Sequence, residues 1–571
     1  LDTKCTNYTN FLFLQAEVPA YHNCRRGWLR SKIWALSYNN IVNSLLIGRR
    51  EKNRTIALRK NGTIAIMGVI ARQSIRGALA NYLGVAIGFF TTFFVLTDYL
   101  TQEEIGLTRV MVDAAMLFSG LAQLGTNASI IRFFPFFKSE DEKNHGIFGW
   151  SVLIPFVGFT LFALFFFIFR QDIVEVYSQK SPLIADYAYL LLPLTFFALY
   201  LTVFETNASV LFRITVPRLV REVGIRVFNL ICYLLYGKGV ISLDMFVVLF
   251  CMSYGVAMLI NFFYLLSLGR ISFRIDWKFA SKARLKEMGL YTLFMTATVL
   301  AGNIPLINSL FLGAHTGLAL TGVYTIAFYI ANIVEVPYRS LGAISRPMIS
   351  QAVRDDNWQE VNRLARQVSL HQFLVSSLIF FMIWINLKAL FAVIPHGSEY
   401  VGGIGVVFIL GLAKIVNSSL SIGTDILNYS RLYPTSLLFI ALLTASAIIF
   451  NNMLIPLWSI NGSASATLFS YCLYFVCLLL FVGGKLRVSL FCRKHIAVLV
   501  MMLALFGLDW LWTQLLTPMF SFSSTVVATL VDALARTAFM LVVSVVAIRR
   551  IHVSSDVDAF FDKILRRRRQ E

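Results

Sequence analysis

The chain has 571 residues, of which 57% are hydrophobic, and carries 50 Lys+Arg against 30 Asp+Glu, a formal charge of +20. A mean hydropathy of +0.71 excludes an ordinary soluble domain, in which this charge would point to nucleic acid. In a membrane chain the charge sits in short loops and faces anionic inner-leaflet lipids, so nucleic acid is excluded as a partner.

In chain order, residues 1–66 come first and look foreign to the rest. They hold 11 Lys+Arg and 3 Asp+Glu, broken hydrophobic patches such as FLFLQAEV, and nothing like a signal-peptide core with a small-residue cleavage site. The first Met is Met67, directly before a basic flank and a long hydrophobic run. The expectation is that the working protein starts near Met67 and that 1–66 is dispensable, with a disordered cytoplasmic extension as the alternative.

From there the hydropathy predicts fourteen spans, near 77–97, 105–128, 147–169, 183–205, 219–236, 244–267, 288–311, 318–342, 368–390, 401–422, 433–452, 463–483, 496–514 and 524–547. Each approaches the roughly 20 residues needed to cross about 30 Å of hydrocarbon. Lys and Arg gather in alternate gaps, whereas only Arg170, Lys180, Lys238 and Lys388 stand in or against the other set. That bias places the basic gaps and both termini in the cytoplasm. The chain reads as an all-α polytopic membrane protein.

The basic break GRISFRIDWKFASKARLKEMG at 269–289 divides the spans. It predicts a first lobe over 67–268 (helices 1–6), a connector over 269–287 and a second lobe over 288–483 (helices 7–12). Helices 13 and 14 over 484–547 lie outside that pair, and a basic tail covers 548–571. The connector RPMISQAVRDDNWQEVNRLAR, Arg346 to Arg366, suits either an amphipathic helix on the inner surface or a plain solvated loop helix. TNAS occurs at Thr126–Ser129 and again at Thr206–Ser209, followed by Arg132 and Arg213, and predicts matching cytoplasmic ends of helices 2 and 4. Pro193, Pro305 and Pro337 fall inside predicted spans, where each removes a backbone hydrogen bond and kinks its helix.

Ionisable residues within spans normally face protein or an aqueous path. Arg109 with Asp113, Glu335 with Arg339, and Asp532 with Arg536 are spaced i,i+4, on one helical face, where pairing offsets desolvation. Arg226 has Glu222 one turn away; Glu205 lies near the inner end of helix 4 and Asp509 near the outer end of helix 13. Lys414, in GLAKIVNSS, has no carboxylate within a turn. A charge at that depth costs roughly 2.5 kcal/mol or more, so Lys414 needs either a carboxylate on another helix or an anionic substrate in a wet cavity.

No constellation for covalent chemistry is present in the sequence. There is no GxxxxGK[ST] phosphate loop, no HExxH and no C-x-x-C spacing among the seven Cys, so no metal, cofactor or ATP site is read. The acidic runs Glu140–Asp141–Glu142 and Asp355–Asp356 read as solvated loop charges.

The stretches GLTRVMVDAAMLFSGLAQLGTNASIIRFFP, GVYTIAFYIANIVEVPYRSLGAISRPMISQ and IGTDILNYSR, on this pattern of spans, resemble the Wzx-type polysaccharide flippases. These belong to a superfamily with the MATE drug exporters and the lipid II flippases, and the resemblance covers about 67–547. It implies two six-helix lobes around a cationic cavity and transfer of an undecaprenyl-diphosphate-linked oligosaccharide across the bacterial inner membrane by alternating access. It further implies that Lys414, Arg226, Arg339 and Arg109 receive the diphosphate or acidic sugars. Glu335, Asp113 and Glu205 then serve ion coupling, to H+ or Na+, or charge pairing. A polysaccharide polymerase and glycosyltransferases are the implied partners. Within the same fold the alternatives are a lipid II flippase and a cation-coupled drug antiporter.

Overall fold

The computed structural model describes residues 83–139, 144–269, 272–276, 279, 282–301, 304–519 and 525–551. The expectations for 1–66 and Met67, for Arg270 and Lys278 of the connector and for the tail beyond 551 lie outside the described residues. So do the side chains of Arg339 and Pro305.

The described residues are helical throughout, with no strand among them. In chain order the helices are α1 (Leu83–Tyr99), α2 (Gln102–Ala122), α3 (Thr126–Phe137), α4 (Ile147–Ser178), α5 (Pro182–Val210), α6 (215–237) and α7 (Leu243–Ser267). After the connector come α8 (Lys282–Ala301), α9 (Ile304–His315), α10 (318–354), α11 (Trp358–Val393), α12 (Gly397–Tyr429) and α13 (Ser436–Leu486). Two more, α14 (Arg493–Leu515) and α15 (Thr525–Ile551), follow. Below, α1–α7 are the first half and α8–α13 the second.

Among the described residues, ten helices are long and apolar enough to cross a membrane. The count differs from fourteen for local reasons. α13 holds predicted spans 11 and 12 in one helical run folded at Ser459 (φ 50°, ψ −128°) just after Pro456, where a gap was expected. α6 carries Arg218, Arg221, Glu222 and Arg226 and so is too charged to qualify. Predicted span 7 is described as α8 and α9, and of predicted span 1 only the part from Leu83 lies within the described residues.

Helix starts follow ordinary capping chemistry. Thr101 and Glu104 form a capping box that opens α2, and Ser242 accepts from the Met245 N–H to open α7. The turn from α2 to α3 passes through Leu124 and Gly125, both with positive φ. A Cβ on Gly125 would lie 2.2 Å from the Thr292 carbonyl, so only glycine fits there.

Three sequence expectations change. The first TNAS begins a separate helix, α3, while the second ends α5, so the two copies are not at equivalent ends. The Arg346–Arg366 connector is a hairpin of α10 and α11 turning at 355–357, with Ile349, Val361 and Ala365 fully buried; it packs into the second half and is not a surface helix. Pro193 and Pro337 stand in the first turns of α-helical runs that follow 3-10 turns at Ala188–Leu190 and Ile333–Glu335. There a missing N–H costs nothing.

The largest core cluster joins both halves, running from Phe93 and Val110 through Phe246 to Tyr324, Ile330 and Leu410. A second cluster lies within α10–α13, and a third joins α11 to α14 and α15 through Phe381, Met501 and Met540.

Candidate functional site

Where the halves meet, a cavity of about 360 Å³ opens between α1, α2, α6, α7 and α10. Three irregular turns surround it: π-turns at Thr91–Leu96 in α1 and Val220–Gly224 in α6, and the 3-10 turn at Ile333–Glu335 in α10. Such breaks in a regular helix recur at functional positions. The lining also carries the polar Thr91, Asn229, Tyr254, Thr325, Tyr329 and Asn332.

Arg109 and Arg226 are the charged residues among the described lining residues; no Asp or Glu is among them. Arg109 Nε donates to Asp113 Oδ2 at 2.6 Å, with side-chain exposures of 11% and 4%. The helical spacing brings that pair together, as expected. The guanidinium also lies over Phe328, 4.5 Å from its ring centroid, and over Tyr329 at 5.4 Å, a favourable place for a cation. Asp113 Oδ2 additionally accepts from Ser309 Oγ of α9 at 2.6 Å.

Arg226 pairs with Glu222 at 3.3 Å. Its Nη1 is buried and has no hydrogen-bond partner among the described residues. Room for it comes from α1, because a Cβ on Gly84 or Gly88 would stand 3.0 or 3.1 Å from Nη1. Glu205, in the C-terminal part of α5, pairs with Arg221 at 3.1 Å, and Arg221 also donates to Thr202. Neither is on the lining.

Lys414 finds the carboxylate that its own helix lacks. Its Nζ lies 3.1 Å from Glu335 Oε2, and Asn417 donates to the other oxygen at 2.8 Å. The pair is buried between α12 and α10, and Lys414 is not among the cavity-lining residues. Of the two sequence expectations for this lysine, the structure shows the neighbouring-helix partner. Glu335 thus has Lys414 and Asn417 as its described partners, while the i,i+4 pairing expected with Arg339 lies outside the described residues. Lys414 reaches Phe328 too, at 5.3 Å, so one ring lies between a cation of each half.

Other charges settle at the margins. Arg346 donates to Asp425 at 3.0 Å and to Tyr338 Oη at 2.6 Å, joining two of the stretches that carried the family resemblance. Arg536 meets Asp532 at 3.9 Å and also Asp509 of α14 at 3.4 Å, so Asp509 is paired across helices. Phe328, Tyr329 and Ser309 were not singled out from the sequence. Phe328 and Tyr329 read as part of an apolar span, and Ser309 matters only through a residue 196 positions away.

An apolar groove of about 450 Å³ adjoins the cavity between α10, α11 and α15, lined by Leu378, Met382, Leu541 and Ile548 among others. Ile333 belongs to both walls. The arrangement can hold an anion by arginine and an aliphatic chain beside it.

Residues 71–353 match the family model described as polysaccharide biosynthesis protein. No curated protein matches the sequence. Among solved structures, the lipid II flippase MurJ in an inward closed conformation is similar with a TM-score of 0.64 at 11% identity, covering 84% of this chain and 99% of that one. An inward-facing multidrug resistance MATE family transporter of the MOP superfamily is similar with a TM-score of 0.55 at 14% identity, covering 71% and 94%. At these identities the likeness is one of fold. Residues 71–353, just under half of the chain, are thus similar to the polysaccharide biosynthesis protein family, and the helical membrane fold is shared with the MurJ and MATE structures.

Proposed function

We propose that the protein is a flippase that moves a polyprenyl-diphosphate-linked oligosaccharide from the inner to the outer leaflet of the bacterial inner membrane for surface polysaccharide synthesis. The observation that carries this reading is the lining of the cavity: two arginines, no carboxylate among the described lining residues, and an apolar groove sharing Ile333. A diphosphate suits the planar guanidinium fork, and the unpartnered Arg226 Nη1 is a donor awaiting an acceptor. A drug-cation antiporter needs the opposite polarity at this place. Transport follows by exposing the cavity to each side in turn as the halves move as lobes.

The test uses purified full-length protein in vesicles with a fluorescent polyprenyl-diphosphate oligosaccharide. The natural chain translocates it, and Arg109→Met and Arg226→Met lower the rate at least tenfold at equal membrane abundance. Efflux of ethidium without translocation of the lipid-linked sugar would overturn the reading. Faster transfer of lipid II than of the polysaccharide precursor would move the assignment to that substrate.

A further inference from the structure

We propose that Asp113 is a positioning residue that acts as a latch: one carboxylate oxygen ties α9 of the second half to the arginine facing the cavity, so that an anion on Arg109 loosens the contact between the halves. The proposal rests on the reading of the cavity above and adds the route by which its occupation reaches the seal.

Three groups of the first half hold α9. Asp113 Oδ2 accepts from Ser309 Oγ at 2.6 Å, Tyr177 Oη donates to the Leu310 carbonyl at 3.1 Å, and Ser181 Oγ donates to the Gly313 carbonyl at 2.6 Å. Tyr177 and Ser181 are not part of the cavity lining, whereas Asp113 is bonded to Arg109, which is. Further contacts on the same side join Gln102 to Glu399 at 3.2 Å and His396 to the Thr97 carbonyl at 3.2 Å. Asp113 is therefore the one member of this set in direct contact with a lining cation.

Ser309 has two places to put its single hydroxyl proton. Asp113 lies at 2.6 Å, and the Leu306 carbonyl, one turn back in α9, lies at 3.0 Å. A hydroxyl donates once, so the bond across the halves and the bond within α9 exclude each other. This supplies the two-state element that a coupling between sites requires. With the cavity empty of anion, Asp113 carries the negative charge nearest to Arg109 and holds Ser309 as well. A diphosphate on the outer ends of the guanidinium competes for the same cation and repels the carboxylate, which weakens both of its bonds. By reciprocity, anything that releases Ser309 favours anion binding by the same factor.

The experiment uses the full chain in lipid nanodiscs with its native cysteines replaced and nitroxide labels on Gln179→Cys and Gly402→Cys. Both positions are exposed, Gln179 in the turn after α4 and Gly402 in the 3-10 turn that opens α12, one in each half. Farnesyl diphosphate is the probe, and label distance and probe affinity are measured on the same samples. The natural chain should show a longer distance with probe. Ser309→Ala should show that longer distance without probe and bind the probe at least threefold more tightly. Asp113→Asn, which keeps an acceptor for Ser309 but removes the charge, should bind the probe and leave the distance unmoved. A Ser309→Ala chain with natural distances and a natural response to the probe overturns the latch and leaves the cavity standing, as does a natural chain whose distance ignores bound probe. An Arg109→Met chain that binds probe as well as the natural one overturns the reading of the cavity, and the latch with it.

Discussion

At the scale of single residues, the decisive distinction is between cations that face the cavity and cations that neutralise a buried carboxylate. Lys414 belongs to the second kind, with its ammonium 3.1 Å from Glu335 and a side-chain exposure of 5%. Replacing it with Met strands a buried carboxylate, which costs about 3 kcal/mol. Lys414→Met should therefore lower the thermal stability of the detergent-solubilised protein, and Lys414→Met combined with Glu335→Gln should recover most of it. Full stability of the single variant would remove the pair from the structural account. Arg226 should behave oppositely: its pair with Glu222 is partly exposed, so its loss stops transport at near-normal abundance. Arg109 both lines the cavity and neutralises buried Asp113, so its loss lowers transport and stability together.

At the scale of elements, α2 and α10 cross with their backbones almost in contact. A Cβ on Gly106 would lie 2.1 Å from the Leu318 carbonyl, and one on Gly322 would lie 2.1 Å from the Gln102 carbonyl. Backbone atoms cannot swing aside as side chains do, and the two sites are reciprocal, so a single methyl group must push the helices apart. Overpacking of this kind costs about 1–3 kcal/mol. Gly322→Ala should lower the melting temperature and admit a thiol reagent to a cysteine placed at Thr325 on the cavity wall. An unchanged melting temperature together with an unreactive cysteine would show that the crossing tolerates the methyl. The docking of α14 and α15 on α11 rests on a different device, since Arg536 answers both Asp509 and Asp532. Arg536→Met leaves two carboxylates without their cation, and the purified protein should then be cleaved by protease between α13 and α14 at lower concentrations than the natural chain.

For the molecule as a whole, contacts between the halves exist on both sides of the cavity. One set joins α2, α4 and their loops to α9, α10 and the start of α12. The other joins α3 to α8, with Ser129 Oγ 2.5 Å from Thr292 Oγ1 and Arg132 3.6 Å from Glu287 and stacked over Tyr291. In the proposed transport cycle the α3–α8 set parts when substrate enters. A chain with Ser129→Cys and Thr292→Cys should lose translocation on oxidation and regain it on reduction, read in the vesicle assay. Transport by the oxidised protein at the natural rate would show that this contact is not a gate.

The amino-acid sequence by itself determined the helical membrane class and the ion pairs of one helix. A hydrophobic run of about 20 residues has few alternatives in a bilayer, and i,i+4 spacing brings Arg109 to Asp113 and Arg226 to Glu222 wherever the helix goes. Span limits were less legible, because Pro456 and Ser459 fold α13 without ending its helical run, and because α6 carries too much charge to stand out by hydropathy. Tertiary structure alone decided the contacts between helices: Lys414 with Glu335, Arg221 with Glu205, Arg346 with Asp425, and Ser309 with Asp113. These partners are separated by 79, 16, 79 and 196 positions, and no local periodicity encodes which face of one helix meets which face of another. Which arginines reach the cavity is settled in the same way, by small residues such as Gly84 and Gly88 that make room for a guanidinium arriving from a different helix.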